Sequence, residues 1–586
     1  MQGSCDGCSG LDAPNAQRNA LICALLFAAC VFIARPVSNE GYVDDFSYAK
    51  TALEFARTGH IIFNGWTAPL EGWMIAWGAL FIKLFGFSFF VLRMANLPFA
   101  LGSVYLFHRI LARFGVGQRD ASLGALALGL SPMFFPLTTS FMTDVPAMFV
   151  LLLCVFMCQQ AAAAATPRAT ILWLLFAALV NVFGGTVRQN AWVGALVMVP
   201  STGWLLRRRP GVLRAALAAG AVSLIAVSGL TRWFYKKPNY FVDPATHFRS
   251  MHYSAGSLAV SIIKIFLCLL LLLLPLFAAW WPTVRSLTRR PAVLRGSALL
   301  VLVALVLAIP AHRGHLGGWA APWRPCTVSR FDNFDAEQID QLVCSSVTFP
   351  PWLRVALTLL TIGAVWVVAE QVGGRMSRRS IAAAPSRGEK SFLWILGPAS
   401  LAYAFLLFPR AASVGLLDKY VIFLMPFGIA GVLLLHRRSI GTAVPIASFI
   451  VLAIFAIDAV GDTHDYYADE RAGDVAISQL VRAGVPRTSI SQSINSDVWQ
   501  QLSLVGHIGA SRNDRGPNPP PLRRTPAVEC AVYAEHIAPV MQPEYYLVFS
   551  PSSCLQPSQF PPVSYRAWLP PFHRNVYIEQ PIYTLP

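Results

Sequence analysis

Two adjacent acids, Asp44 and Asp45 in the stretch GYVDDFSYAK, follow the first long apolar run of the chain by a few residues. A carboxylate in such a place can cap the positive end of a helix, or it can act as a general base that takes a proton from a hydroxyl nucleophile. The stretch DDFSYAKTALEFARTGH carries Phe46, Ala49, Leu53 and Ala56 at near-helical spacing, with Gly59 where a helix would stop. A short helix lying on the membrane surface is therefore expected, with one acid as its N-cap. The other acid is left for chemistry, and the residues alone leave open which is which.

A third acid, Asp144 in TTSFMTDVPAMFVLLL, stands at the mouth of an apolar run with Pro146 in its first turn. It reads equally as an N-cap and as part of a cleft at the bilayer boundary. Two cations complete the set: Arg188 in GGTVRQNAW and Lys419 in LLDKYVIFLMPF, each at the end of an apolar run. Lys419 reads as snorkelling to the interface, with an anion role as the alternative. Arg188, flanked by Gly184, Gly185, Gln189 and Asn190, reads as an anion site, because the planar guanidinium fork matches phosphate oxygens.

The elements that must hold these groups are membrane spans. Of 586 residues, 55% are hydrophobic and only 13% are charged, which is more apolar side chain than a soluble core needs. Runs such as GSALLVLVALVLAIPA are long enough to cross about 30 Å of hydrocarbon as helices. We read about thirteen spans, centred near residues 28, 100, 129, 152, 177, 198, 222, 268, 303, 360, 400, 428 and 450. The fold class expected is a mainly α, polytopic helical membrane protein.

The net charge of +17 does not mark a nucleic-acid binder, since the arginines sit in short clusters between apolar runs: RRRPGVLR, RSLTRRPAVLR, RMSRRS and HRR. These read as loops held on the cytoplasmic side by the positive-inside rule. With a cytoplasmic N-terminus, the outside face then carries residues 37–87, 138–143, 185–190, 231–255, 312–350, 409–419 and everything after about 461. Residues 1–36 are read as an uncleaved first span, with a signal peptide as the alternative. Residues 1–460 form the expected transmembrane domain, and residues 461–586 a small extracytoplasmic α/β domain whose aromatic segments suit core strands.

Cys326 with Cys344 and Cys530 with Cys554 share outside segments and could form disulfides in an oxidising compartment. CDGC near the N-terminus has metal-like spacing but lacks a second pair, so no metal site is assigned there. The other cysteines lie in apolar runs and read as small core residues. No halves with matching broken helices are visible, and the acids cluster at the outer boundary rather than the bilayer midplane. A transporter or flippase for a lipid-linked intermediate is therefore the alternative rather than the main reading.

The acid pair, the helix ending in Gly59, the stretch APLEGWMIAWGALFIKLFGFSFFVLRMANLPFALGSVYLFHRILARFG and the stretch LSPMFFPLTTSFMTDVPAMFVLLL together resemble the GT-C membrane glycosyltransferases. The nearest kinds are bacterial relatives of the protein O-mannosyltransferases and of the lipid A aminoarabinose transferase. The resemblance covers residues 36 to 200 most specifically, and Lys419, Tyr420 and Pro426 resemble the family's later Arg-Tyr…Pro signature. It implies inverting transfer of a sugar from a polyprenyl-phosphate donor to a lipid, glycan or protein hydroxyl at the outer face of the cytoplasmic membrane. It further implies Asp44 as general base, Asp45 in the position usually held by Glu, and Asp144 as the acid at the start of the fourth span. The leaving phosphate would need charge stabilisation, from Arg188 with Lys419 or His60. Where relatives often carry His-Pro-Pro or Glu-Lys-Pro, this chain has Thr67-Ala68-Pro69. No metal ligand is assigned, and a divalent-metal requirement is left open.

Overall fold

The computed structural model describes residues 14–42, 44–66, 69–240, 266–286, 351–376, 384–413, 418–509, 537–549 and 555–582. Its first helices are α1 (Pro14–Ala34), α2 (Asp45–Thr58), α3 (Gly72–Phe85), α4 (Phe89–Arg113), α5 (Gln118–Gly129) and α6 (Phe134–Thr138). They are followed by α7 (Asp144–Ala163), α8 (Pro167–Gly184), α9 (Val199–Leu205), α10 (Val212–Tyr235), α11 (Pro351–Met376) and α12 (Arg387–Ser413). The last are α13 (Met425–Ser439), α14 (Ile446–Arg482) and α15 (Ile494–Leu504). Among the described residues, eight helices are long and apolar enough to cross a membrane: α1, α4, α7, α8, α10, α12, α13 with the turn before it, and α14. The chain is a mainly helical, multi-pass membrane protein.

Local chemistry sets the ends of these helices. Ser88 and Thr166 accept from the backbone N–H groups of Val91 and Ala169, capping α4 and α8, and Pro167 supplies a preset first residue for α8. Gly59 ends α2 at φ 72°, a left-handed conformation that a side chain would disfavour, as its place after ALEFART predicts. In α7, 78% of the span is buried inside the protein and the helix forms the centre, whereas only 33% of the spans of α1 and α10 is buried, which places these two at the periphery.

The expected spans near 129 and 198 are helical but shorter than a membrane. Ser131 and Pro132 separate α5 from α6, and turns at Gly185–Val187 and Gln189–Trp192 followed by a wide π turn at Gly194–Met198 precede α9. These stretches are apolar because most of their residues are packed inside the protein, and hydropathy does not separate that case from a span. The expected span near 360 is α11, with Leu359–Val372 as its apolar stretch. The one near 268 is described only in part, and the one near 303 lies outside the described residues, as do both cysteine pairs and CDGC. Cys23, Cys154, Cys158 and Cys268 are buried and Cys30 half-buried, and none of the five is in a disulfide.

Helix direction sorts the charges into two ends. One end gathers Arg113, Arg207 to Arg209, and Arg437 with Arg438, where α4, α9 and α13 finish. The other gathers the starts of α2 and α7, the end of α8 and the start of the segment leading into α13, so Asp44, Asp144, Arg188 and Lys419 share it.

The helix α14 runs 37 residues, roughly 55 Å, and crosses residue 461 unbroken. Beyond the membrane its small residues Ala472 and Ala476, with Leu480, pack on Ile490, Leu547, Val576 and Ile578 of a sheet. Among the described residues that sheet holds β1 (Ile490–Ser491), β2 (Tyr545–Val548), β3 (Leu555–Pro557), β4 (Val563–Arg566) and β5 (His573–Pro581) in the order β1-β2-β5-β3, with β4 also on β5. Only β1 and β2 are parallel, in register Ile490↔Tyr545; β5 pairs antiparallel with its neighbours, Leu547 opposite Ile578.

Candidate active site

Asp44 occupies the N-cap position of α2 by backbone, yet its side chain makes no capping bond. The carboxylate turns the other way. Its Oδ1 accepts from the Trp66 indole N–H at 3.0 Å, and its Oδ2 accepts from Lys419 Nζ at 3.1 Å in an ion pair. Burial pushes its pKa up, but the Lys419 charge, the Trp66 and Lys419 hydrogen bonds and the Arg188 charge outweigh burial and hold it below the ordinary aspartate value. With 28% of the side chain exposed, the carboxylate is ionised and reachable.

Asp45 is fully buried and faces away from that cluster. Its Oδ1 accepts from the Tyr42 N–H at 2.6 Å and its Oδ2 from the Phe141 N–H at 3.2 Å. It thereby ties the chain before α2 to the loop before α7. Burial raises its pKa to about 6, against the pull of Arg93 and the two N–H groups. The expected cap is thus not formed: neither carboxylate caps α2. The helix also does not lie on the surface, since Asp45 to Leu53 are all buried.

Trp66 is held in turn by Asn64, whose Oδ1 accepts from Ser47 Oγ at 2.8 Å and from the Trp66 N–H at 3.3 Å. The Asn64 amide donates to the Ser47 carbonyl at 2.9 Å, so Trp66 is fixed to α2 one turn beyond Asp44.

Asp144 is the first residue of α7 and is fully buried; the N-cap position falls to Thr143, so Asp144 is not the cap that its place before Val145-Pro146 offered. Arg188 Nη1 donates to Asp144 Oδ2 and to Thr143 Oγ1, both at 2.9 Å, and the guanidinium lies 5.5 Å from the Tyr420 ring centre. Nε and Nη2 of Arg188 have no acceptor among the described residues. Lys419 is buried and paired rather than snorkelling. Asp44, Lys419, Arg188 and Asp144 therefore form one cluster of alternating charge at one end of the bundle. Tyr48, one turn after Asp44 and buried, senses Asp44, Arg188, Glu71 and Asp144 together, and burial with the three acids raises its phenol well above the ordinary value.

His60 is not brought to this cluster. It is exposed just past Gly59, at the far end of a helix about 20 Å long from the one that carries Asp44. Trp66, Asn64 and Tyr48 are the members that sequence reasoning missed. The spacing of four residues between Asp44 and Tyr48 was a usable signal, whereas the Trp66 contact arises from the fold. Among the described residues no three His, Cys, Asp or Glu side chains gather as a metal site.

The segment leading into Asp44 is clamped by the C-terminal part of the chain. The Gly41 carbonyl accepts from the Tyr466 hydroxyl at 3.1 Å and the Asn495 amide at 3.2 Å. Ser496 Oγ donates to Glu40 Oε1 at 3.2 Å, Arg471 donates to the Arg35 and Val37 carbonyls, and the buried Arg93 donates to the Ser38 carbonyl at 3.0 Å.

No family model matches the chain, and no curated protein matches it. Among solved structures the chain is similar to the protein O-mannosyltransferase Pmt1-Pmt2 complex of S. cerevisiae bound to its sugar donor, at 15% identity over 38% of this chain and 33% of that one, TM-score 0.31. It is similar to ArnT from Cupriavidus metallidurans bound to undecaprenyl phosphate, at 17% identity over 71% and 77% of the two chains, TM-score 0.33. It is also similar to the archaeal oligosaccharyltransferase AglB from Archaeoglobus fulgidus in complex with an inhibitory peptide and a dolichol-phosphate, at 11% identity over 88% and 63%, TM-score 0.37. The chain thus spans a third of the length of the O-mannosyltransferase chain it matches. That enzyme is of a kind that the sequence resembles, and at these identities and scores the likenesses assign this chain neither an activity nor a residue role.

Proposed function

We propose that the protein is a GT-C-type inverting glycosyltransferase. It moves a sugar from a polyprenyl-phosphate donor to a hydroxyl of a lipid, glycan or protein acceptor at the outer face of the cytoplasmic membrane. The observation that carries this reading is the boundary cluster, in which an ionised, reachable Asp44 stands with Lys419 beside an Arg188 that has donors left over. The arginine clusters at the opposite end of the helices support a cytoplasmic assignment of that end by the positive-inside rule.

In the reaction the acceptor hydroxyl approaches C1 of the sugar from the face opposite the phosphate, and Asp44 takes its proton as the new C–O bond forms. A positioned base of this kind contributes about 10² to 10⁴ in rate. The bond from C1 to the phosphate oxygen breaks with its electron pair going to the phosphate, so the configuration at C1 inverts. The growing charge on the phosphate is met by Nε and Nη2 of Arg188, which Asp144 and Thr143 hold in orientation, and by Lys419. Donor binding therefore competes with Asp44 for Lys419 and loosens the resting ion pair where the base is needed. Asp45 acts on structure only, and His60 has no part in the step. Residues 461–586 form the second domain of this reading and share the face of the site.

The experiment is a comparison of cells with and without the protein by mass spectrometry of lipids and envelope glycans. The reading expects one polyprenyl-phosphate sugar to accumulate and the same sugar to disappear from an envelope product. Unchanged lipid-linked sugars together with unchanged glycans would contradict it.

A further inference from the structure

The tip of the hairpin between β4 and β5 is built like a membrane anchor. Residues 567–572 form a closed turn, the Ala567 N–H donating to the Phe572 carbonyl at 2.9 Å. Trp568 and Phe572 project from it, 46% and 56% exposed, and the exposed Arg566 and His573 stand opposite each other at its base.

The height of this tip along α14 is fixed by contacts. The Trp568 and Leu569 N–H groups donate to Asp465 Oδ1 and Oδ2 at 2.6 and 3.0 Å, and Arg574 Nη2 donates to Asp465 Oδ2 at 3.1 Å. The Trp568 ring stacks on His464 with centroids 3.8 Å apart, and Leu569 covers Gly461, where an added Cβ would meet it at 3.1 Å. The face of α14 that looks out from the protein is marked by Ile446, Ile450, Ile454 and Ile457, between 56% and 71% exposed. At 100° per residue Gly461 is the next position on that face. The tip therefore sits on the end of the lipid-facing stripe.

The distance agrees with the thickness of a bilayer. From Ile446, which follows the basic end of α13, to Asp465 is roughly 28 Å of helix, against about 30 Å of hydrocarbon. Asp465 and the turn it holds, which carries Trp568 and Phe572, thus stand at the opposite hydrocarbon boundary, where amphipathic rings are favoured and basic side chains meet lipid phosphates.

We propose that Trp568 and Phe572, with Arg566 and His573, bind the lipid headgroup region of the leaflet on the side of the C-terminal sheet, anchoring that sheet to the bilayer surface. The anchor is independent of the sugar-transfer reading. The test uses the full chain labelled with 5-fluorotryptophan in lipid nanodiscs, with the Trp568 fluorine resonance assigned by its loss in Trp568→Phe. A nitroxide-bearing lipid is expected to broaden that resonance severalfold more than a water-soluble gadolinium chelate does. The variant Phe572→Trp adds a resonance at an exposed position that demands no repacking, and it should behave the same way. Broadening by the chelate that equals or exceeds broadening by the lipid at both positions would overturn the proposal.

Discussion

Lys419 Nζ lies 3.1 Å from Asp44 Oδ2, joining two residues 375 positions apart in the chain. The pair keeps a largely enclosed carboxylate ionised, and it fixes the start of α2 against the segment that enters α13.

Removing the lysine leaves burial as the dominant influence on Asp44, and burial pushes its pKa up. A base must be ionised, so the acid limb of the pH–rate profile for kcat/KM should move to higher pH in Lys419→Gln. Each unit of movement corresponds to about 1.4 kcal/mol. A limb that stays in place would separate Asp44 from the rate.

Arg188 has a structural and a proposed chemical task, and two substitutions separate them. Arg188→Ala leaves Asp144 buried without its cation, which costs on the order of 3 to 5 kcal/mol of stability. Arg188→Lys keeps the charge but loses the fork, so it should fold while losing roughly 10² in kcat with a weakened donor dependence and an unchanged acceptor KM. A donor dependence equal to wild type in the lysine variant would remove Arg188 from the phosphate.

The clamp on Gly41 predicts an effect at a distance. Tyr466→Phe and Asn495→Ala each delete one donor to the Gly41 carbonyl, worth about 1 kcal/mol apiece. The double variant should lower kcat and leave the donor KM unchanged, because the segment before Asp44 loosens while the phosphate side stays intact. Full kcat in the double variant would show that the clamp does not position the base.

Most of the spans were legible in the sequence, and so were the charged residues at their edges that the fold brings together. Asp44, Asp144 and Arg188 stand out because charge at the edge of an apolar run is costly without a purpose. The pairing of Asp44 with Lys419 was hidden by chain separation, and the contacts of Asp45 were hidden because its partners, the Tyr42 and Phe141 N–H groups, are backbone. The end of the apolar run near 460 marks the end of the lipid contact of α14 but not of the helix. Its continuation buries small residues such as Ala472 and Ala476 against the sheet, and those carry little hydropathy signal. The apolar residues of α5 and α9 looked like spans because a helix inside the bundle is as apolar as one in lipid.

Stability should fall as pH rises from about 4 to about 7. Burial raises Asp45 to about 6 and Asp497 to about 7, so the folded state holds protons that the unfolded state, with ordinary aspartates, has released. The lowered Asp44 works in the opposite direction, but only below the ordinary aspartate range. Asp497→Asn should flatten the upper part of this slope in thermal unfolding of the detergent-solubilised protein. A midpoint that rises across the window, or a slope untouched by the substitution, would contradict the assignment.

The most direct measurement is sugar transfer by purified Asp44→Asn, in nanodiscs, from the polyprenyl-phosphate sugar that accumulates in cells lacking the protein. The substitution keeps an acceptor for the Trp66 indole N–H and removes the base. Transfer should drop by about 10² or more while the variant still inserts in the membrane and binds the donor. Transfer within a few fold of wild type would contradict the account.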